Sequence, residues 1–230
     1  GDWGTGLVNK GTPVSYLNND SYFRGKSADL LGNMRLDWQV INDLTFFFFF
    51  YYTQNSNRNT RFLATQRLNS AITLGPSSLN ETNGTTTYRT FQAFADYRKS
   101  FGKHEINALG GYSFETALIE SLGLSRSNLP TNNITVINAG DASTQTTSGM
   151  ADEWALESYF GRLQYNYDNK YLMEGTVRYD GSSRFPNNRK YATFPSVAVG
   201  WRLGQEAFIK DNFGWIDELK LKASYGTLGN

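Results

Sequence analysis

The sequence predicts an all-β chain, and among all-β architectures a transmembrane antiparallel β-barrel of about eight strands. Three observations predict it. Aromatic residues make up 15% of the 230 residues and glycine occurs 22 times, yet mean hydropathy is only −0.50. Apolar and polar residues alternate with a period of two over stretches of about ten residues, the length a tilted strand needs to cross a bilayer. The connections between those stretches alternate in turn between tight turns and long polar segments, the asymmetry of an outer-membrane barrel. A soluble β-sandwich also alternates, so the pattern leaves two architectures open; long strands with lopsided connections favour the barrel.

The elements follow in order. "MRLDWQV" sets Met34, Leu36, Trp38 and Val40 against Arg35, Asp37 and Gln39, and "IND" at Ile41 to Asp43 makes a tight turn. Leu44 to Gln54 is a less regular strand, because Phe46 to Phe50 does not alternate; a strand covered on both faces would tolerate such a run. A long polar segment is expected from about Asn55 to Thr86. "FQAFADY" places Phe91, Ala93, Ala95 and Tyr97 opposite Gln92 and Asp96, with Phe94 as the exception. After the tight "FGKH", Ile106, Ala108, Gly110, Tyr112 and Phe114 face away from Asn107 and Ser113, and a second long segment runs from about Glu120 to Ala155.

A hairpin comes next. Tyr159, Gly161, Leu163, Tyr165 and Tyr167 form one face of its first arm, against Phe160, Arg162, Gln164, Asn166 and Asp168. Asp168-Asn169 turns the chain, and Tyr171, Met173, Gly175, Val177 and Tyr179 resume the apolar face. A loop from Gly181 to Tyr191 leads to "PSVAVGWRL", and "LKLKASY" sets Leu219, Leu221, Ala223 and Tyr225 against Lys220, Lys222 and Ser224. Between these two strands, Gly204 to Glu218 is too long for the tight-turn side, and its "EAFIKDNFGWIDEL" reads as a short helical turn.

Composition excludes several functions. Lys+Arg number 22 against 21 Asp+Glu, a net charge of +1 that offers nucleic acid no electrostatic footprint. There is no cysteine, so disulfides and thiolate metal sites are out. The single imidazole, His104, sits in the predicted "FGKH" turn without a local nucleophile and reads as a solvated turn residue, so neither catalysis nor metal binding is expected. Asp141, Asp152 and Glu153 carry oxygen chemistry suited to calcium, but their spacing is not that of an EF-hand. No cofactor is expected.

Three stretches resemble one family. "ESYFGRLQYNYDNKYLMEGTVRYDGSSRFPNNRKYATFPSVAVGWRL" (Glu157 to Leu203) is similar to the SusC/RagA-type TonB-dependent outer-membrane transporters of Bacteroidetes. The matching positions are Tyr159 to Arg162, Tyr165 to Tyr167, Lys170 to Leu172, Asp180 to Phe185, Phe194 to Ser196 and Gly200 to Arg202. "WIDELKLKASYGTLGN" (Trp215 to Asn230) resembles the family's next strand, and "LLGNMRLDWQVINDLTF" with "FGKHEINALGGYSFE" fits strands upstream.

The resemblance implies a plugged barrel of about 22 strands, of which this chain is roughly a third. It further implies nutrient import of glycan or peptide, energy from TonB, and a SusD-like surface lipoprotein as partner. The chain shows no recognisable plug domain, TonB box or signal peptide and opens on "GDWGTG", so residues 1–230 are expected to be part of one β-barrel domain of a longer protein. The alternative is a structural or adhesive outer-surface β-barrel protein without transport activity.

Two sets of residues are candidate sites. Charges on the polar face cost about 2 to 4 kcal/mol each if turned to lipid near the midplane, so Arg162, Glu174, Arg178, Asp180, Arg202, Lys220 and Lys222 are expected to face the lumen, in contact with a plug or a polar pathway. The family-motif loop Asp180, Gly181, Ser182, Ser183, Arg184 and Phe185 is read as architecture first. Asp180 is expected to pair with a loop arginine, Arg184 or Arg189, and Gly181 to turn the chain with positive φ.

Overall fold

In a computed structural model that describes residues 19–68, 70–216 and 218–228, the chain is antiparallel β-structure almost throughout. The Gly229-Asn230 end of the last family motif lies outside the described residues. Eight strands form one sheet in the order β1 (Tyr22–Ile41), β2 (Leu44–Leu63), β5 (Ser78–Phe101), β6 (His104–Ser127), β7 (Thr146–Tyr167), β8 (Tyr171–Ser182), β9 (Tyr191–Arg202) and β10 (Lys220–Gly226). Two short strands, β3 (Gln66–Arg67) and β4 (Thr73–Leu74), pair as a separate ribbon between β2 and β5. Each strand of the large sheet pairs with its sequence neighbour in that sheet, the meander that tight turns and hairpin loops impose.

The tight turns fall where the sequence put them. Asp168 and Asn169 both have positive φ, 52° and 56°, and Lys170 N–H bonds Tyr167 C=O at 2.9 Å. That is a type I′ turn, whose twist matches the flanking strands and whose left-handed residues favour Asn and Asp. Gly102 supplies the left-handed residue of the preceding tight turn, with φ 58°. The predicted helical turn is also present, as α1 (Ala207–Lys210).

Strand lengths depart from expectation. The sequence predicts arms of about ten residues, a length that hydrocarbon thickness sets. β1 and β2 have 20 residues each, β5 and β6 24, and β7 22. Much of the two long polar segments is therefore strand. Runs such as "NETNGTTT" lack alternation because polar residues occupy both of their faces, but the backbone ladder continues through them. Only the stretch between β6 and β7, residues 128–145, remains a long loop on that side without strand of its own.

Two compact units partition the chain. Among the described residues, 19–30, 54–87 and 118–152 form one, which holds the small closed core: Phe62 and Leu79 are fully buried, and Ala64 and Leu129 nearly so, with Tyr22 and Ile137 against them. Polar groups complete it, since Ser77 donates its N–H to Thr65 Oγ1 (2.9 Å) and its Oγ accepts from Leu129 N–H (2.9 Å). Among the described residues, 31–53, 88–117 and 153–228 form the other unit, in which large apolar side chains of β7–β10 are open rather than enclosed. Leu163 is 55% exposed, Met173 55%, Val177 47%, Val199 47% and Leu221 56%, so among the described residues no second layer covers this face as the partner sheet of a sandwich would.

Candidate functional site: the polar face of the wall

Register decides which side chains share a face. Across β7 and β8, Tyr159 opposes Tyr179, Gly161 Val177, Leu163 Gly175 and Tyr165 Met173; across β8 and β9, Met173 opposes Val199 and Val177 Pro195. Every one of these is an apolar-face position. The polar partners interleave: Ser158 opposes Asp180, Arg162 Thr176 and Gln164 Glu174, while Lys222 opposes Gly200 and Lys220 opposes Arg202. One slip of register would exchange the two sets wholesale, and none occurs.

On the polar face Glu174, Arg178, Asp180 and Arg202 have partners across or along strands. Gln164 Nε2 donates to Glu174 Oε2 at 2.5 Å, and Thr176 and Ser196 hydroxyls meet at 2.5 Å. Arg178 Nε donates to Asp180 Oδ1 at 2.7 Å and its Nη2 to Ser158 Oγ at 2.9 Å. Arg202 reaches the Asn169 amide oxygen, and its guanidinium lies 3.6 Å from Glu218. Arg162 is half-buried, and its Nε is enclosed without a partner among the described residues. A concavity of about 630 Å³ opens on this face, lined by Arg98, Asn107, Gln164, Glu174, Lys220 and Lys222 among others. Six of the seven charges singled out from sequence thus cluster on β7–β10 as neighbours, and the seventh, Arg202, closes the row at the turn end.

The polar face also carries an aromatic row that alternation alone did not reveal. Phe47 and Phe49 stack on Phe94 with centroids 5.0 and 5.8 Å apart, and Phe94 lies 6.4 Å from Phe160. The Arg35 guanidinium lies 5.1 Å from the Phe49 centroid while bonding Asp37. Gly111 makes the row possible, since a Cβ there would lie 2.4 Å from Phe94 Cβ and 2.7 Å from Phe160 Cζ. The parity breaks in two strands, Phe94 and the Phe46 to Phe50 run, were the available signal. Read together they name one cluster.

Three expectations need correction. His104 is not a solvated turn residue: the two-residue turn makes it the first residue of β6, so its ring joins the face of Tyr165 and Tyr167. Its Nδ1 lies 2.7 Å from Tyr165 OH and its ring 4.9 Å from Tyr167. Asp180 pairs with Arg178, two residues away on the same face of β8, and not with a loop arginine; Arg184 instead lies 5.8 Å from the Trp154 centroid. Gly181 has no positive φ but continues β8, and its missing Cβ leaves room for the Tyr191 ring, which a side chain would meet at 2.3 Å. Beyond it, Ser183 exchanges bonds with Ala155, N–H to C=O at 2.9 Å and Oγ from N–H at 2.8 Å, fastening the motif loop to β7.

Aromatic belts bound the apolar face at both ends of β7–β9. At one end Tyr112, Tyr159, Tyr179 and Tyr191 gather, with Glu157 accepting from Tyr159 OH (3.0 Å) and Tyr191 OH (2.7 Å). At the turn end Tyr167, Tyr171 and Trp201 stack in sequence, each 6.3 Å from the next. Between Tyr159 and Tyr167 lie eight residue steps, about 26 Å along a strand and somewhat less after tilt, near the height of an outer-membrane apolar band.

An open apolar face between two aromatic belts and a polar reverse is the cross-section of an outer-membrane wall. The family described as "TonB dependent receptor-like, beta-barrel" matches residues 1–229. The chain belongs to that family. It is 34% identical to TonB-dependent receptor P3 of Formosa agariphila over 215 residues, 93% of this chain and 21% of that receptor. It is 43% identical to TonB-dependent receptor SusC of Bacteroides thetaiotaomicron over 89 residues, 39% of this chain and 9% of SusC. A solved structure of the RagAB peptide transporter superposes with a TM-score of 0.83 at 23% identity, covering 94% of this chain and 24% of that one, a likeness of fold. The chain thus spans about a fifth of the length of the receptors it matches across most of its own length. As a member of this TonB-dependent family it is an outer-membrane β-barrel protein.

Proposed function

We propose that this chain is a stretch of wall from a TonB-dependent importer that takes glycan or peptide across the outer membrane, with a SusD-like lipoprotein outside and a plug within. The observation that carries the reading is the inversion of cover. Leu163, Val177 and Val199 are open, while Asp96 and Ser158 on the reverse face are 8% and 3% exposed. A solvent that is itself hydrocarbon stabilises that arrangement. Among the described residues β1 and β10 each pair on one side only, and an unpaired strand edge is not viable in lipid. More strands therefore complete the barrel, which supports the larger plugged design of about 22 strands.

Arg162, Glu174, Arg178, Asp180, Lys220 and Lys222 are the wall's contribution to plug contacts or to a polar pathway, and Arg202 closes the row at the periplasmic end. Disrupting the encoding gene and following labelled oligosaccharides and peptides into cells tests the whole reading. Uptake of one class should fall to the level of cells treated with a protonophore. Unchanged uptake of both, with lost surface adhesion, would establish a structural or adhesive barrel instead.

A further inference from the structure

The tight-turn side carries turns of two or three residues with one exception, the connection 203–219 between β9 and β10. Its length is not slack. Gly204 N–H bonds Leu219 C=O at 3.0 Å, closing the base of the connection. Within it, Asp211 N–H bonds Ala207 C=O (2.8 Å), Phe213 N–H bonds Ile209 C=O (2.8 Å) and Asn212 Nδ2 bonds Phe208 C=O (2.9 Å). This fixed shape presents apolar side chains outward: Phe208 is 53% exposed, Phe213 44% and Trp215 80%.

Glu206 decides which side of the wall this shape roots on. Its carboxylate accepts from Tyr171 OH (2.7 Å), Trp201 Nε1 (3.1 Å) and Lys170 Nζ (3.0 Å). Tyr171 and Trp201 are register partners on the apolar face and members of the turn-end belt. The root of α1 is therefore fastened beside the turn-end belt, on the apolar side of the sheet.

We infer that the connection 203–219 is an interfacial anchor, with Phe208, Phe213 and Trp215 seated at the headgroup–acyl boundary of the phospholipid leaflet on the tight-turn side. Lys210, exposed in the last turn of α1, meets headgroup phosphate, the arrangement of aromatics and a base that holds short segments in a membrane plane. The inference rests on the apolar face being the lipid face.

Spin labels test it in the whole protein carrying this chain, reconstituted in nanodiscs of phosphatidylethanolamine and phosphatidylglycerol. Labels on Phe208→Cys and Trp215→Cys are compared with Met173→Cys on the apolar face and Lys103→Cys in a tight turn. The readout is collision with oxygen relative to a water-soluble nickel chelate. The anchor predicts oxygen-to-nickel ratios at positions 208 and 215 at least about 3-fold above position 103, approaching position 173. Ratios equal to that at position 103, or shielding from both reagents as a protein partner would give, overturn it. If position 173 also reads as aqueous, the lipid-face assignment itself has failed, a distinguishable result.

Discussion

On the hairpin β7–β8 two faces share one backbone, one register and nearly one length, yet they obey opposite rules of cover. Leu163, Met173 and Val177 stand open, while Gln164, Glu174 and Ser158 on the reverse are half-buried or buried and hydrogen-bonded to neighbours. In a soluble sheet the apolar set would be the covered one. The difference teaches that exposure in this wall measures which solvent a side chain expects, and that polar groups here earn their place by pairing laterally.

The hardest way to break that comparison is to put a charge on the open face. Leu163→Arg should destabilise by about 2 to 4 kcal/mol, whereas Thr176→Arg on the reverse should stay within about 1 kcal/mol. Urea unfolding of the reconstituted protein measures both, and equal costs would dissolve the distinction between faces. Next in size is the aromatic row on the polar face. Gly111→Val drives a side chain into Phe94 and Phe160 and should cost about 1 to 3 kcal/mol. Gly175→Val, at an open position with nothing within 4 Å of its Cβ, should be far milder in the same assay.

A pH titration sharpens the comparison at the turn end of the lipid face. Hydrogen bonds from Tyr171, Trp201 and Lys170 lower the Glu206 carboxyl from 4.5 to about 2. A carboxyl depressed on folding contributes stability above its unfolded value and loses it as pH falls through its folded value. Wild-type melting temperature should therefore drop between about pH 4.5 and 2 by more than that of Glu206→Gln, and parallel curves would remove Glu206 as the clip. The smallest effect belongs to the polar face: Glu174→Ala breaks the Gln164 pair and should cost about 0.2 to 1 kcal/mol by the same unfolding measurement.

Legibility followed the chemistry of each segment. Alternation at Tyr159 to Tyr179 was plain because its two faces meet different solvents, and the Asp168-Asn169 turn was plain because left-handed backbone selects those residues. Residues 55–63 and 78–86 were hidden as strand because Asn, Thr and Ser occupy both faces and erase the period, even where Phe62 and Leu79 enter the closed core. His104 was misplaced by a boundary of one residue, which moved its ring from turn to belt. The Phe47, Phe49, Phe94 and Phe160 cluster was visible only as two separate irregularities, since a row across strands has no signature along any one of them.

By itself the sequence determined the fold class, the tight turns, the two faces from β7 to β10 and the family, all properties encoded between near neighbours in the chain. Tertiary structure alone decided that Asp180 pairs with Arg178, that Gly111 admits the phenyl row, and that Glu206 gathers Tyr171, Trp201 and Lys170. The reason is geometric: a cross-strand partner lies about 5 Å away in space, at a sequence distance that only the register sets.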